Sequence, residues 1–195
     1  MEYIIKNINS IDKSIINNFN LYADKKNRIN KYKNNKNKIA SIVGDILLSN
    51  LLSKYNLLYD DLSFIINEYG KPYINDNIYF NISHSHEYVI TVVSMKEIGV
   101  DIEKIRQTPI NVINQFATDK EKEYILSSNS NIEERIFKIY TLKEAYFKMI
   151  GTDLTNILNI EFIIDGDNVL CSDNTINAGF IHFNKDYIVS FCERK

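Results

Sequence analysis

The chain has 195 residues, 45% of them hydrophobic, a net charge of −2 and two cysteines. That length holds one ordinary domain or two small halves, with enough apolar residues for a packed core. The near-neutral charge excludes global steering toward nucleic acid or an anionic membrane, no stretch reads as a signal sequence or bilayer span, and Cys171 and Cys192 lie far apart without metal-ligand spacing, as expected of reduced core thiols in a cytoplasmic protein.

In chain order, Met1 to Ile8 reads as an opening strand, and Asp12 to Tyr22 has helical spacing with Ile15, Ile16 and Phe19 on one side. A basic run follows, Lys25, Lys26, Arg28, Lys31, Lys33, Lys36 and Lys38. It suits either a solvated helix face or a local anion site, and on a chain of so little net charge it would hold a phosphate rather than a polymer. Ile39 to Leu52 repeats apolar residues at helical intervals, and Gly44 inside it signals close packing on a neighbour. Asp60 to Ile66 reads as a short strand, Glu68 to Tyr73 as a turn around Gly70 and Pro72, and Asn75-Asp76-Asn77 as a second loop. Tyr79 to His86 runs into a β-branched strand, Tyr88 to Val93. Ser83 and His84 crowd that strand end with groups able to donate to phosphate oxygens.

Gly99 to Arg106 reads as a strand entering a loop. Side chains alternate across a strand, so Asp101 and Glu103 share one face. Two neighbouring carboxylates repel, and a divalent cation between them removes the cost. A bare Asp-x-Glu is equally what a solvated strand end presents. After Pro109, a helix is expected from Asn111 to Phe116. Thr118 to Glu121 has the form of a capping box, which alone accounts for Glu121. Ile132 to Ile150 is the strongest helix, ended by Gly151, with Tyr140, Glu144 and Lys148 on one face. Four strands are expected in the remainder, as a meander: Ile160 to Ile164, Asn168 to Cys171, Ala178 to Phe183 and Tyr187 to Cys192.

Five blocks in register carry a resemblance: Gly70-Lys71-Pro72, Phe80-Asn81-Ile82-Ser83-His84-Ser85, Gly99-Val100-Asp101-Ile102-Glu103, Phe116 to Tyr124, and Lys143-Glu144-Ala145-x-x-Lys148. In order and spacing the chain resembles the 4′-phosphopantetheinyl transferase superfamily, in its surfactin-type (Sfp-type) branch. The resemblance covers roughly Lys25 to Gly151. It implies an α/β (α+β) pseudo-dimer of two similar halves in one monomeric chain. Residues 1–96 would supply nucleotide and 3′-phosphate contacts, residues 97–195 the metal carboxylates and catalytic helix, with coenzyme A in the cleft near Met95 to Gly99.

The implied reaction moves the 4′-phosphopantetheine arm of coenzyme A to a serine of an apo acyl or peptidyl carrier protein, releasing 3′,5′-ADP. Asp101, Glu103 and Glu144 would bind Mg²⁺, a cation that takes hard oxygen ligands and shares them with phosphates. Lys148 would touch the phosphate where charge develops, and Glu121 stands where the family has an acid proposed to take the serine proton. Lys25 and Arg28 fall near the 3′-phosphate position, Ser41 at the nucleotide, and Lys71, Ser83 and His84 at phosphate contacts. The chain departs from the family at Ile39 and Ala40, where His and Arg are frequent, at Tyr140, where Trp is common, and at His86 and Glu87. Nucleotide contacts would then lean on Lys36 or Lys38. Two other classes use the same residues. A Mg²⁺-dependent nuclease or phosphatase would hydrolyse coenzyme A or nucleotides without a carrier, and a non-catalytic coenzyme A-binding module would do neither.

Overall fold

The structure is a computed structural model describing residues 1–74 and 77–195. The N-terminal part contains β1 (Glu2–Asn7), α1 (Lys13–Asn18), α2 (Ala23–Asn30), α3 (Asn35–Leu52), β2 (Phe64–Ile66), β3 (Pro72–Ile74), β4 (Tyr79–Ser85) and β5 (Tyr88–Ser94). The C-terminal part contains β6 (Ile98–Lys104), α4 (Asp119–Leu126), α5 (Ile132–Ile150), β7 (Phe162–Asp165), β8 (Asn168–Cys171), β9 (Ile176–Phe180) and β10 (Tyr187–Arg194). Each part builds one three-stranded antiparallel sheet, in the order β1-β5-β4 and β6-β10-β9, beside a two-stranded ribbon, β2-β3 or β7-β8. One long helix covers each sheet, α3 on β5 and β4, α5 on β6 and β10. This is the two-half α+β architecture expected. No helix among the described residues is long and apolar enough to cross a membrane.

The halves meet along β4, β5 and β6. Ile90 and Val92 of β5 pack with Val100 and Ile102 of β6 and Val189 of β10, all fully or almost fully buried. Burying a Val or Ile contributes about 1.5–3 kcal/mol, and this cluster draws on both sheets. Gly99 lets β6 approach α5 backbone to backbone, because a Cβ there would overlap Ala145 O and the Met149 backbone. Gly44 lets the α3 backbone seat on a β4 side chain, since its Cβ would strike Ile82 Cγ2.

The long elements fall where periodicity places them. α5 spans Ile132–Ile150 and ends at Gly151, whose φ of 74° lies in the left-handed region. α4 begins on a complete capping box between Thr118 and Glu121.

Short elements differ from expectation. The helix expected over Asp12 to Tyr22 is only six residues long, and Ile15 is 51% exposed. Phe19 leaves it in extended conformation and packs its ring on Tyr59, centroids 5.1 Å apart. Tertiary aromatic packing there outweighs a helix too short to hold itself. Of the strand expected from Asp60, Phe64–Ile66 is formed, preceded by a 3-10 turn at Tyr59–Asp61. Ile110–Gln115 is likewise 3-10 rather than α. The expected C-terminal meander divides, β7-β8 forming a separate ribbon while β9 and β10 extend β6. Ser83 and His84 sit near the end of β4, as expected of a strand end. The hairpin that follows turns at His86, whose φ of 54° is strained for a residue with a Cβ. Of the expected loop Asn75-Asp76-Asn77, the first two residues lie outside the described residues.

Candidate active site

At the seam, β4, β6 and α5 surround an open pocket of about 230 Å³ lined by Ser83, His84, Asp101, Glu103, Tyr140, Glu144 and Lys148 together with Ile82. Six residues expected to act together are thus brought to one place from three elements. The i, i+4, i+8 face of α5 delivers Tyr140, Glu144 and Lys148, and alternation along β6 delivers Asp101 and Glu103.

Asp101 is the centre of the bonding. Its Oδ1 accepts from Ser83 Oγ at 2.7 Å and from Lys148 Nζ at 2.6 Å, and Lys148 also donates to Ser83 Oγ at 3.0 Å. Its Oδ2 is buried and accepts no hydrogen bond among the described residues. Burial pushes the Asp101 carboxyl above the ordinary range, against the pull of Lys148. Burial also raises Glu144, and the nearby Asp101 adds to it. Glu144 Oε1 accepts from the Tyr140 hydroxyl at 2.9 Å. Burial lowers His84, and Lys148, Lys25 and Arg28 lower it further. A neutral imidazole among three cations suits an anion.

The expected set of three metal carboxylates does not converge. Among the described residues no group of three or more His, Cys, Asp or Glu side chains gathers around one point. The reason is local. The Lys148 ammonium occupies Asp101 and Tyr140 holds Glu144, whereas Glu103, bonded through Oε2 to Ser85 Oγ at 2.9 Å and Arg106 Nη1 at 3.0 Å, stays on the strand face it shares with Asp101. The donors nevertheless fit Mg²⁺: all are hard oxygens, and the orphaned Asp101 Oδ2 is a buried acceptor with nothing to accept.

The remaining expected residues separate into three places. Lys25 is only 6% exposed and pairs with Asp45 at 2.7 Å, and Asp45 also accepts from the Tyr59 hydroxyl at 2.9 Å. Lys25 is thus part of a buried pair and not on a solvated helix face, and it lies near enough to His84 to lower it. Arg28 donates to Gly70 O at 3.2 Å and to the Tyr32 hydroxyl at 3.4 Å, and Ser41 is buried on α3. Lys71 donates to Met149 O at 2.5 Å near the α5 C-terminus. It lines a different cavity, of about 590 Å³, with Asn67, Tyr79, Glu97 and Met149.

Glu121 corrects the expectation of a proton acceptor. It is completely buried. Oε2 takes the Lys143 ammonium and the Thr118 N–H, each at 2.7 Å, and Oε1 takes the Phe162 N–H at 2.8 Å. Lys143 is completely buried too and donates to Ile157 O at 3.0 Å, with its amine pushed down by burial. The pair ties α4, α5 and β7 together and does not line the pocket.

The seam residue Asn81 and two partners of the site, Ser85 and Arg106, were not singled out in the sequence. A signal exists for the first two. Asn81-x-Ser83-x-Ser85 repeats a small polar residue at the strand period beside an Asp-x-Glu strand.

Comparison with known proteins supports one family throughout. A sequence model of the 4′-phosphopantetheinyl transferase superfamily matches residues 97–192, and a model of the 4′-phosphopantetheinyl transferase N-terminal region matches residues 9–96. The chain is similar to 4′-phosphopantetheinyl transferase gsp of Aneurinibacillus migulanus, 33% identical over 165 residues that cover 83% of this chain and 69% of that protein. It is 28% identical to 4′-phosphopantetheinyl transferase Sfp of Bacillus subtilis (strain 168) over 136 residues, covering 68% of this chain and 61% of Sfp. A crystal structure of Thermotoga maritima holo-[acyl-carrier-protein] synthase (AcpS) aligns with 51% of this chain and 62% of that one, at a TM-score of 0.44 and 21% identity. On the relatives and both matched regions, the chain belongs to the 4′-phosphopantetheinyl transferase family, in the branch that includes Sfp.

Proposed function

We propose that this protein transfers the 4′-phosphopantetheine arm of coenzyme A to a serine of an apo acyl or peptidyl carrier protein, releasing 3′,5′-ADP. The observation that carries the reading is Asp101 Oδ2, buried and without a hydrogen-bond partner among the described residues, beside Lys148 in a pocket lined from both halves. Asp101, with Glu144 and Glu103, would hold Mg²⁺, which when bound draws off the charge of the pyrophosphate.

The remaining chemistry belongs to the protein's own groups. The carrier serine attacks the pantetheine-bearing phosphorus, the new P–O bond forms as the pyrophosphate P–O bond breaks, and 3′,5′-ADP departs with the electron pair. Lys148 offers its ammonium to the oxygens where that charge grows. His84 donates to the phosphates, Ser83 holds Asp101 and Lys148 beside them, and Arg28 with the Lys25–Asp45 pair flanks the 3′-phosphate. Lys71, Lys36 and Lys38 remain secondary candidates for phosphate. Glu121 is enclosed, so the serine proton leaves to water in the open pocket. In this reading residues 1–96 supply the nucleotide contacts and residues 97–195 the carboxylates, so one chain completes the site as a monomer in the cytoplasm.

The test is to mix the protein with coenzyme A, Mg²⁺ and several purified apo-carriers and read the carriers by intact mass. Addition of the arm is expected, and chelation is expected to abolish it. Coenzyme A breakdown without a carrier would establish a hydrolase instead. Coenzyme A binding without either reaction would establish a non-catalytic module.

A further inference from the structure

β4 and β6 lie side by side across the seam, yet they belong to separate sheets. They are joined through side chains of β4 at every second residue. Val100 N–H donates to Asn81 Oδ1 at 3.0 Å, Ile102 N–H to Ser83 Oγ at 3.4 Å and Lys104 N–H to Ser85 Oγ at 3.2 Å. The offset is 19 residues in all three, so the strands run parallel in a single register.

The two serines then spend their own protons on β6. Ser83 donates to Asp101 and Ser85 to Glu103, at 2.7 and 2.9 Å. One unit therefore occurs twice, displaced by two residues. A hydroxyl accepts the N–H that follows a carboxylate and donates to that carboxylate, and a cation completes the group, Lys148 on Asp101 at 2.6 Å and Arg106 on Glu103 at 3.0 Å. His86 Nδ1, 3.3 Å from Ser85 Oγ, competes for the second serine's proton, but an ionised acceptor binds it more strongly.

We propose that Ser85 is a positioning residue for Glu103. By fixing Oε2 together with Arg106, it restricts a long, rotatable side chain to one placement on the strand face shared with Asp101. A free Glu would have to be ordered each time a cation binds. The proposal rests on the reading that these carboxylates hold a divalent cation with coenzyme A. Partners that orient a metal ligand typically contribute 10- to 100-fold to metal affinity.

The experiment is a Mn²⁺ titration of the full-length protein with coenzyme A present, reading free Mn²⁺ by electron paramagnetic resonance, with urea unfolding in parallel. Ser85→Ala is expected to weaken Mn²⁺ binding about tenfold. Ser85→Ala combined with Glu103→Gln is expected to bind no more weakly than Glu103→Gln alone, since Ser85 acts through Glu103. Asn81→Ala loses a seam bond without touching a carboxylate, so it should lower the urea midpoint and leave Mn²⁺ affinity unchanged. If Ser85→Ala does not fold, Ser85→Thr against Ser85→Val makes the same comparison, hydroxyl for methyl at nearly equal volume. Wild-type affinity in Ser85→Ala, additive losses in the double variant, or equal weakening by Asn81→Ala would overturn the proposal while the functional reading stands. Failure of the wild type to take up Mn²⁺ would overturn both.

Discussion

Two lysines on α5 show how residue chemistry follows from surroundings. Lys143 is offset by about 100° from Glu144 on the helix, and the sequence therefore places it at the edge of the site or in solvent. It is instead 0% exposed, a position open to an ammonium only because Glu121 meets it there. Breaking such a pair strands a buried charge and costs about 3–5 kcal/mol. Lys143→Met is accordingly expected to lower the urea midpoint sharply, with kcat preserved in whatever fraction folds. Lys148, 30% exposed and aimed at Asp101, should behave oppositely. Lys148→Ala is expected to lower kcat about a hundredfold, with a small change in KM, as for one lost electrostatic group. A larger kcat loss from Lys143→Met than from Lys148→Ala would reverse the assignment. The basic run divides in the same way. Lys25→Ala strands Asp45 and confounds binding with stability, so Arg28→Ala is the cleaner probe. It should raise KM for coenzyme A several-fold and leave KM for dephospho-coenzyme A nearly unchanged, and equal increases would move the 3′-phosphate site elsewhere.

The elements that matter most are β6 and α5, and their contact depends on one residue without a side chain. Gly99→Ala inserts a methyl into the Ala145 and Met149 backbone, which cannot yield as a side-chain tip would. Insoluble or strongly destabilised protein is expected, and a normally stable Gly99→Ala variant would contradict the packing. The other end of α5 is held from the N-terminal part. Asn67 Nδ2 donates to Gly151 O at 2.7 Å and Lys71 Nζ to Met149 O at 2.5 Å, a cation at a helix C-terminus. Burial pushes the Lys71 amine down to about 8, with Glu97 opposing. Between about pH 8 and 10 the folded protein has released a proton that the unfolded chain still holds, so stability should rise with pH across that window. Urea midpoints of wild type and Lys71→Met at pH 7 and 9.5 test this. Wild type should gain on the variant as pH rises, and a constant difference would show that Lys71 stays charged. The bounds of α5 were legible because periodicity, length and Gly151 agree over 19 residues. Those of α1 were not, because six residues carry too little local preference to outweigh the packing of Phe19.

For the whole molecule, the important fact is that the halves share a core. Ile90 and Val92 cannot be buried without Val100, Ile102 and Val189, so the two sheets should unfold together. The proposed coenzyme A site lies across that same seam. A ligand that binds only the folded state stabilises by mass action, about 2.7 kcal/mol at a hundred times its Kd. Coenzyme A with Mg²⁺ should therefore raise Tm as a single transition, and Mg²⁺ alone should raise it less. Two separate transitions, of which only one responds, would show that the halves are independent.

The sequence by itself determined the family and, through what the resemblance of its five motif blocks implies, the two-half α+β architecture, while local periodicity set the neighbours within the pocket. Alternation puts Asp101 beside Glu103, and helical spacing puts Glu144 beside Lys148. Tertiary structure decided which charged groups are available. Glu121 and Lys143 neutralise each other in the core, Lys25 is claimed by Asp45, Lys71 by the α5 terminus, and Lys148 by Asp101. Each partner lies at least 20 residues from its mate, on another element, and no local pattern encodes such a pairing. The same holds for Ser85 and Glu103: alternation can mark both strands, but only the parallel register of β4 on β6 joins that hydroxyl to that carboxylate.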